Sequence, residues 1–234
     1  MGAQPASDIA SRRPLSGGFY TPAEVSRILR LRNAGVVRGW LEGGARRSGP
    51  TLVRQYAGAP DVGFWDLIEI RFVNYFRGKG VSLQHKRKVA TRARERFETP
   101  HPFALSNVKF KTDRKAIFAE IGEQEGDREL EEMTTGQLSF YEIVEDFLAK
   151  GVEFDPSSSL AKSWHPEPIK FPAVMLTPKR AHGQPSVDDH GVPTRALFLN
   201  WKAENFSYSA VSDWFEVEEE KVRQAVEYEL ELDD

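Results

Sequence analysis

The stretch Tyr20–Tyr56, YTPAEVSRILRLRNAGVVRGWLEGGARRSGPTLVRQY, decides how the chain is read. It opens with the signals of a helix start. Thr21 can cap, Pro22 suits the first helical position, and Glu24 three residues on completes a capping box. Val25, Ile28 and Leu29 then recur at helical spacing and give the helix one apolar face, with Arg27 and Arg30 elsewhere on it. Leu31–Asn33 is a short polar break before a second helix that turns Val36, Val37, Trp40 and Leu41 inward. Gly43-Gly44 stops that helix, because glycine tolerates the left-handed backbone on which helices commonly end. Two short helices across a tight turn are the helix-turn-helix plan. The basic loop Ala45–Pro50, leading into an expected strand at Thr51–Arg54, would then form a wing.

Charge points the same way. Residues 24–54 hold Arg27, Arg30, Arg32, Arg38, Arg46, Arg47 and Arg54 against Glu24 and Glu42. Arginine can meet both phosphates and guanine edges, so this density suits docking on double-stranded DNA. Arg32, Asn33 and Arg38 are the candidates for base edges, and Arg27, Arg46, Arg47 and Arg54 for the phosphate backbone. The same pattern also fits a helical hairpin with a solvated arginine face.

Across the whole chain the net charge of −3 conceals a polarity. Residues 1–116 carry 22 Lys+Arg and 9 Asp+Glu, a net of +13, and residues 117–234 carry 10 and 26, a net of −16. One half suits a polyanion and the other would be repelled by it, although the two halves can also attract each other. There is no cysteine, which excludes disulfides, thiolate metal sites and cysteine nucleophiles. No run approaches a membrane span, and the polar segment 1–18 reads as a disordered arm rather than a secretory signal. The expected compartment is the cytoplasm.

Further along, Gly63–Arg77 predicts a helix with Phe64, Leu67, Ile68, Phe72 and Phe76 as its core stripe, broadened by Trp65 and Ile70. Ser82 would cap a helix over Leu83–Phe97 with a basic outer face and a thin inner one of Leu83, Val89, Ala93 and Phe97. Val108–Phe110 and Ala116–Ile121 suggest a hairpin, and Gln137–Lys150 an amphipathic helix. Seven prolines between residues 154 and 193 exclude continuous helix there. Three helices follow: Thr194–Lys202; Tyr208–Phe215, capped by Ser207, with Val211, Trp214 and Phe215 inward; and Glu218–Leu230, with Val222, Ala225, Val226 and Leu230 on one face. The last of these is too acidic to approach phosphate, which points to a basic protein partner or self-association.

No catalytic arrangement emerges, so the expectation is a protein that is not an enzyme. His182, Asp188, Asp189 and His190 form the one close His/Asp group, in a Pro/Gly loop without a metal-ligand spacing. The expectation is no metal and no cofactor.

Three motifs carry a family resemblance: Gly183-Gln184-Pro185, then Gly191-Val192-Pro193-Thr194, then a tri-helical unit ending in Val222-Arg223-Gln224-Ala225. These resemble a small domain of bacterial antitoxins. The Tyr20-Thr21 start and Trp40-Leu41 end are similar to the winged helix-turn-helix that precedes it in the larger VapB-type antitoxins. The chain departs from that pattern at Asp188-Asp189-His190, where family members often carry Gly-Thr-Arg before the proline. The resemblance implies a DNA-binding antitoxin that neutralises a PIN-like ribonuclease toxin encoded beside it and represses its own operon, acting as a homodimer.

The fold expected is mainly α with a small β component (α+β): a winged helix-turn-helix plus a C-terminal three-helix domain. Its parts are an arm (1–18), the DNA-binding region (19–100), an α+β extension (101–154), a proline-rich linker or strap (155–192) and the tri-helical domain (193–234). Within the last, Trp214, Glu219, Glu220 and Glu227 are the expected contacts to the toxin. The competing expectation is a stand-alone winged helix-turn-helix transcription regulator whose C-terminal half binds an effector or a partner.

Overall fold

Thr21 and Glu24 exchange the two hydrogen bonds that their spacing predicts. The Glu24 N–H donates to Thr21 Oγ1 at 3.2 Å and the Thr21 N–H to Glu24 Oε2 at 2.6 Å, which fixes the start of α1 (Pro22–Ile28). The computed structural model describes residues 17–43, 49–78, 83–105, 150–187 and 190–233, with the side chains of helix 83–97 described from Arg87 onward. Among the described residues there are seven α-helices and four short strands, so the fold is mainly α with a small β component. The predicted hairpin (108–121), all of the predicted helix Gln137–Lys150 but Lys150 itself, the loop residues Arg46 and Arg47, and Asp188-Asp189 lie outside the described residues.

Helix α2 (Ala34–Glu42) starts on Asn33, whose side chain accepts from the Gly35 N–H, and it buries Val37, Trp40 and Leu41 against α1 as their spacing predicts. The expected wing strand does not form: Thr51–Arg54 is irregular. The N–H groups of Thr51 and Leu52 both donate to the Trp40 carbonyl, and Leu52 is buried. The segment therefore satisfies its backbone on the end of a helix instead of a neighbouring strand.

Helix α3 (Phe64–Gly78) is the centre of the larger core, with Phe64, Leu67, Ile68, Ile70, Phe72, Val73 and Phe76 all buried. Helix α4 (Leu83–Phe97) lies beside it through Val89, Ala90 and Ala93. Phe103 stacks on Phe72 at 3.8 Å between ring centroids.

The proline-rich region forms a strap with two small antiparallel sheets. Strand β1 (Val152–Phe154) pairs with β2 (Ala161–Trp164), and β3 (Val174–Met175) with β4 (Ser186–Val187), while a bridge between Trp164 and Leu176 ties one sheet to the other. Ala161, Trp164 and Leu176 complete the core around α3, whereas Val187 joins the second core.

That second core belongs to α5 (Thr194–Ala203), α6 (Tyr208–Phe215, with Ser207 accepting from the Ala210 N–H) and α7 (Glu219–Asp233). Two side chains expected inside are outside. Trp214 is 75% exposed, while Val211 is buried and Phe215 packs against the second core. Leu230 is 39% exposed while Glu229 is 1% exposed. The last turn of α7 runs beyond the three-helix core, where Tyr228 and Leu232 pack on Phe171 and Val174 and Glu229 turns toward α1.

Candidate functional site

The α1–α2 unit presents an open edge. Arg32, Asn33 and Arg38 are exposed at the turn and the first half of α2, and neither arginine has a partner among the described residues. The Asn33 carboxamide oxygen is engaged as the cap of α2. A helix N-terminus flanked by two free guanidinium groups has the polarity that favours a phosphate or a base-edge acceptor.

The other described arginines of this region are committed within the molecule. Arg54 donates to Glu42 Oε1 at 2.7 Å and to the carbonyls of Ala59 at 2.7 Å and Asp61 at 3.3 Å, and so holds the irregular segment after α2. Arg27 donates to Glu229 Oε2 at 2.7 Å and through Nε and Nη2 to Asp233 Oδ1 at 3.0 and 2.7 Å. Arg30 donates to Glu231 Oε2 at 2.9 Å, and Lys170 meets the same carboxylate. Arg195, from α5, closes the set with Asp233 Oδ2 at 2.9 Å and Glu229 Oε2 at 3.5 Å. The acidic end of α7 is thus clasped against the basic face of α1, the mutual attraction that the charge polarity allowed.

Glu229 is the buried pivot of this clasp. Besides Arg27 and Arg195 it accepts from the Thr194 hydroxyl, whose oxygen also lies 3.2 Å from the Pro185 carbonyl. Lysine and arginine neighbours act on the exposed members too. Hydrogen bonds from Lys170 and then Arg30 hold the Glu231 carboxyl below its usual range, and those from Arg195 and then Arg27 do the same for Asp233.

Motifs quoted from opposite ends of the chain meet at the same junction. The Tyr20 hydroxyl donates to the Gly183 carbonyl at 2.5 Å, the Phe19 N–H to the His182 carbonyl at 2.9 Å, and the Gln184 amide to Glu24 Oε1 at 3.1 Å. Gly183 has φ +91°, and a Cβ there would lie 2.5 Å from the Tyr20 hydroxyl oxygen. Glycine is needed for the backbone conformation and for the close approach alike.

A second buried polar group lies at the start of α3. Asp66 accepts from the N–H groups of Gln55 at 2.8 Å and Gly63 at 2.9 Å. Glu69 accepts from the Phe103 N–H at 3.1 Å, and His101 Nδ1 lies 3.4 Å from Glu69 Oε2 and 3.8 Å from Asp66 Oδ1. Burial raises both carboxyl pKa values, against the lowering effect of these hydrogen bonds and of His101. The group pins residues 101–105 and 55–63 to the central helix, and among the described residues no cluster suited to a metal ion is present.

On the acidic side, Glu219, Glu220 and Glu227 are exposed along α7, and Trp214 stands out from α6. Arg223 pairs with Glu219 at 3.1 Å and stacks over Tyr208 at 4.3 Å, and the Gln224 amide donates to Glu220. Such surface pairs hold their members only weakly.

No family model matches the sequence. Among curated proteins, the chain is 26% identical over 231 residues to the protein named "Putative antitoxin VapB45" of Mycobacterium tuberculosis, a match that covers 89% of this chain and 92% of that one. Among solved structures, the crystal structure of Rv2018 from Mycobacterium tuberculosis superposes with a TM-score of 0.68 at 26% identity, over 92% of this chain and 98% of the other. The likeness therefore extends over the α1–α2 unit, the strap and the α5–α7 unit together. Among the described residues, no helix is long and apolar enough to cross a membrane.

Proposed function

We propose that this chain is a DNA-binding antitoxin that neutralises a PIN-like ribonuclease and represses its own operon as a homodimer. The observation that carries the antitoxin role is the nearly end-to-end similarity to the protein named for that role in Mycobacterium tuberculosis. The DNA-binding part rests on the open α1–α2 edge. In this reading Arg32, Asn33 and Arg38 face base edges and Arg46 and Arg47 track the backbone, while Arg27 and Arg54 act by holding that edge in place. A ribonuclease needs a cationic surface for its RNA, and Trp214 with Glu219, Glu220 and Glu227 offers that surface an aromatic anchor in an acidic field.

The test is fluorescence anisotropy on the duplex upstream of the protein's own gene, alongside a scrambled duplex, over a salt series. Arg38→Ala should lose about 1–3 kcal/mol on the operator and little on the scrambled duplex, whereas Arg46→Ala should weaken both alike and flatten the salt slope. Equal losses from the two variants on both duplexes would refute this division. For the toxin, co-expression with a neighbouring PIN-like gene should restore growth, and Trp214→Ala should abolish the rescue.

A second reading is a stand-alone transcription regulator with an effector site. A cavity of about 470 Å³ where the end of α1, the outer side of α3 and the strap meet has the size of a small-molecule site and favours it. A gene without a toxin neighbour, whose product shifts DNA only when a small molecule is added, would decide for it.

A further inference from the structure

Trp214, near the end of α6, is the most exposed aromatic side chain among the described residues, at 75%. A large apolar ring left so open is informative, because folding has made no use of its area. Three other rings of the same unit are covered from within. Arg223 lies over Tyr208 at 4.3 Å, Lys202 and Arg195 lie over Phe198 at 4.2 and 5.1 Å, and Trp201 stacks on Tyr208 at 5.5 Å. Among the described residues no cation stands over Trp214. Its chain neighbours are anionic instead. Asp213 precedes it and Glu216 follows two residues on; both are exposed, and neither carboxylate has a partner among the described residues. Glu216 ends α6 in the left-handed backbone (φ 53°, ψ 38°), and Asp213, three positions earlier, is its neighbour at that helix end. A helix C-terminus adds partial negative charge of its own. Glu218, Glu219 and Glu220, just beyond, are already paired with Lys221, Arg223 and Gln224 of α7.

We infer that this end of α6 is a docking site for an arginine side chain of a partner protein. The guanidinium lies on the open Trp214 ring, and its N–H edge donates to the Asp213 and Glu216 carboxylates. Charge selects the occupant, because the ring stands beside two carboxylates that no cation of this unit neutralises. Arginine fits better than lysine: a planar guanidinium stacks on an indole and donates in its own plane at once, which a compact ammonium does not. An apolar side chain would take both carboxylates out of water with no donor to meet them. The inference deepens the partner-binding part of the function proposed above and rests on it. It adds Asp213 and Glu216 to the contact set and places an exposed arginine on the ribonuclease. Glu219 and Glu220, tied to Arg223 and Gln224, then act by attraction at a distance.

The experiment is a titration of the full chain, carrying nitrogen-15 in its tryptophans, with end-blocked tripeptides of arginine, lysine and citrulline. Citrulline keeps the shape of arginine and lacks its charge. The readout is the indole N–H signal of Trp214, assigned by its loss in Trp214→Phe. The arginine peptide should move that signal saturably, the lysine peptide should bind about threefold more weakly or worse, and the citrulline peptide should leave it in place. Asp213→Asn combined with Glu216→Gln should weaken the arginine peptide about tenfold. Both side chains are exposed, so the fold should persist, checked by an unchanged circular dichroism spectrum. Equal binding of the citrulline peptide, a shift confined to other indoles, or an affinity unmoved by the double variant would overturn the inference. So would a parent dimer that Trp214→Ala turns into a monomer on size-exclusion chromatography, since the ring would then be covered by a second copy. Rescue of a toxin by the parent with no peptide shift would sink the arginine site and leave the antitoxin reading standing; a peptide shift without rescue would do the reverse.

Discussion

Replacing Arg27 by methionine should separate the clasp from an ordinary surface ion pair. Methionine keeps most of the aliphatic stem and removes four hydrogen bonds, two to Glu229 (its carboxylate and its carbonyl) and two to Asp233. The Glu229 side chain is 1% exposed, the situation in which losing a partner costs about 3–5 kcal/mol. Arg195 at 3.5 Å and the Thr194 hydroxyl remain to satisfy Glu229, and Arg27 itself is 30% exposed, so about 2 kcal/mol is the better figure. Arg30→Met breaks a pair whose side chains are 50% and 29% exposed, which costs about 0.5 kcal/mol. For a chain of this size, thermal unfolding should then fall by about 4–8 °C for Arg27→Met and about 1–2 °C for Arg30→Met. In 1 M salt, where screening acts within about 3 Å, the smaller deficit should vanish and the larger should persist. The pH sign follows from the depressed carboxyls of Glu231 and Asp233. Their stabilisation is complete above the unfolded values near 4 and is lost as pH falls through the lower folded ones, so the deficits of both variants should shrink in acid. An Arg27→Met protein melting within a degree of the parent, or losing its deficit in salt, would refute the assignment of Glu229 as the buried pivot.

Gly183→Ala should cost about 2–4 kcal/mol, because the new methyl meets the Tyr20 hydroxyl and the backbone is held at φ +91°. Tyr20→Phe in the same background should recover part of the loss in a urea titration, and complete additivity of the two changes would count against their contact. Glu69→Gln tests the buried group on α3. Burial raises the Glu69 pKa, so its charge works against folding above the folded value, and that disadvantage fades as pH drops through it. The difference in melting temperature, variant minus parent, should therefore become more negative as pH falls from neutral toward the ordinary carboxyl value of 4.5. A difference constant over that range would exclude a buried, titrating Glu69.

Elements held by neighbours in sequence were readable before the fold was known. The Thr21–Glu24 box, the Asn33 break, the span of α4 and the Ser207 cap depend on contacts within four residues, and such contacts repeat in the sequence as spacing. The open edge of Arg32 and Arg38 was legible for the same reason. What escaped the sequence depends on distant partners. Arg27 and Arg30 look like free cations until α7 supplies carboxylates some two hundred positions later, and Glu229 looks solvated until the helix is seen to outrun its own core. Periodicity favoured Trp214 and Leu230 inside because they lie near the apolar arc of their helices, but the short α6 fills its core with only part of that arc and Leu230 lies where α7 has outrun the core. Thr51–Arg54 has a strand's composition without a strand to pair with, and its N–H groups went to the nearest spare carbonyl, that of Trp40.

The distance between the clasp's two sides along the polypeptide has a consequence for biogenesis. Arg27 leaves the ribosome 206 residues before Asp233, so during translation the first helix spends most of its time without the carboxylates that later engage it. A protease that cuts after Tyr228 and releases everything beyond it would return the protein to that nascent condition, with Arg27 and Arg30 bare and the amino-terminal helices otherwise intact.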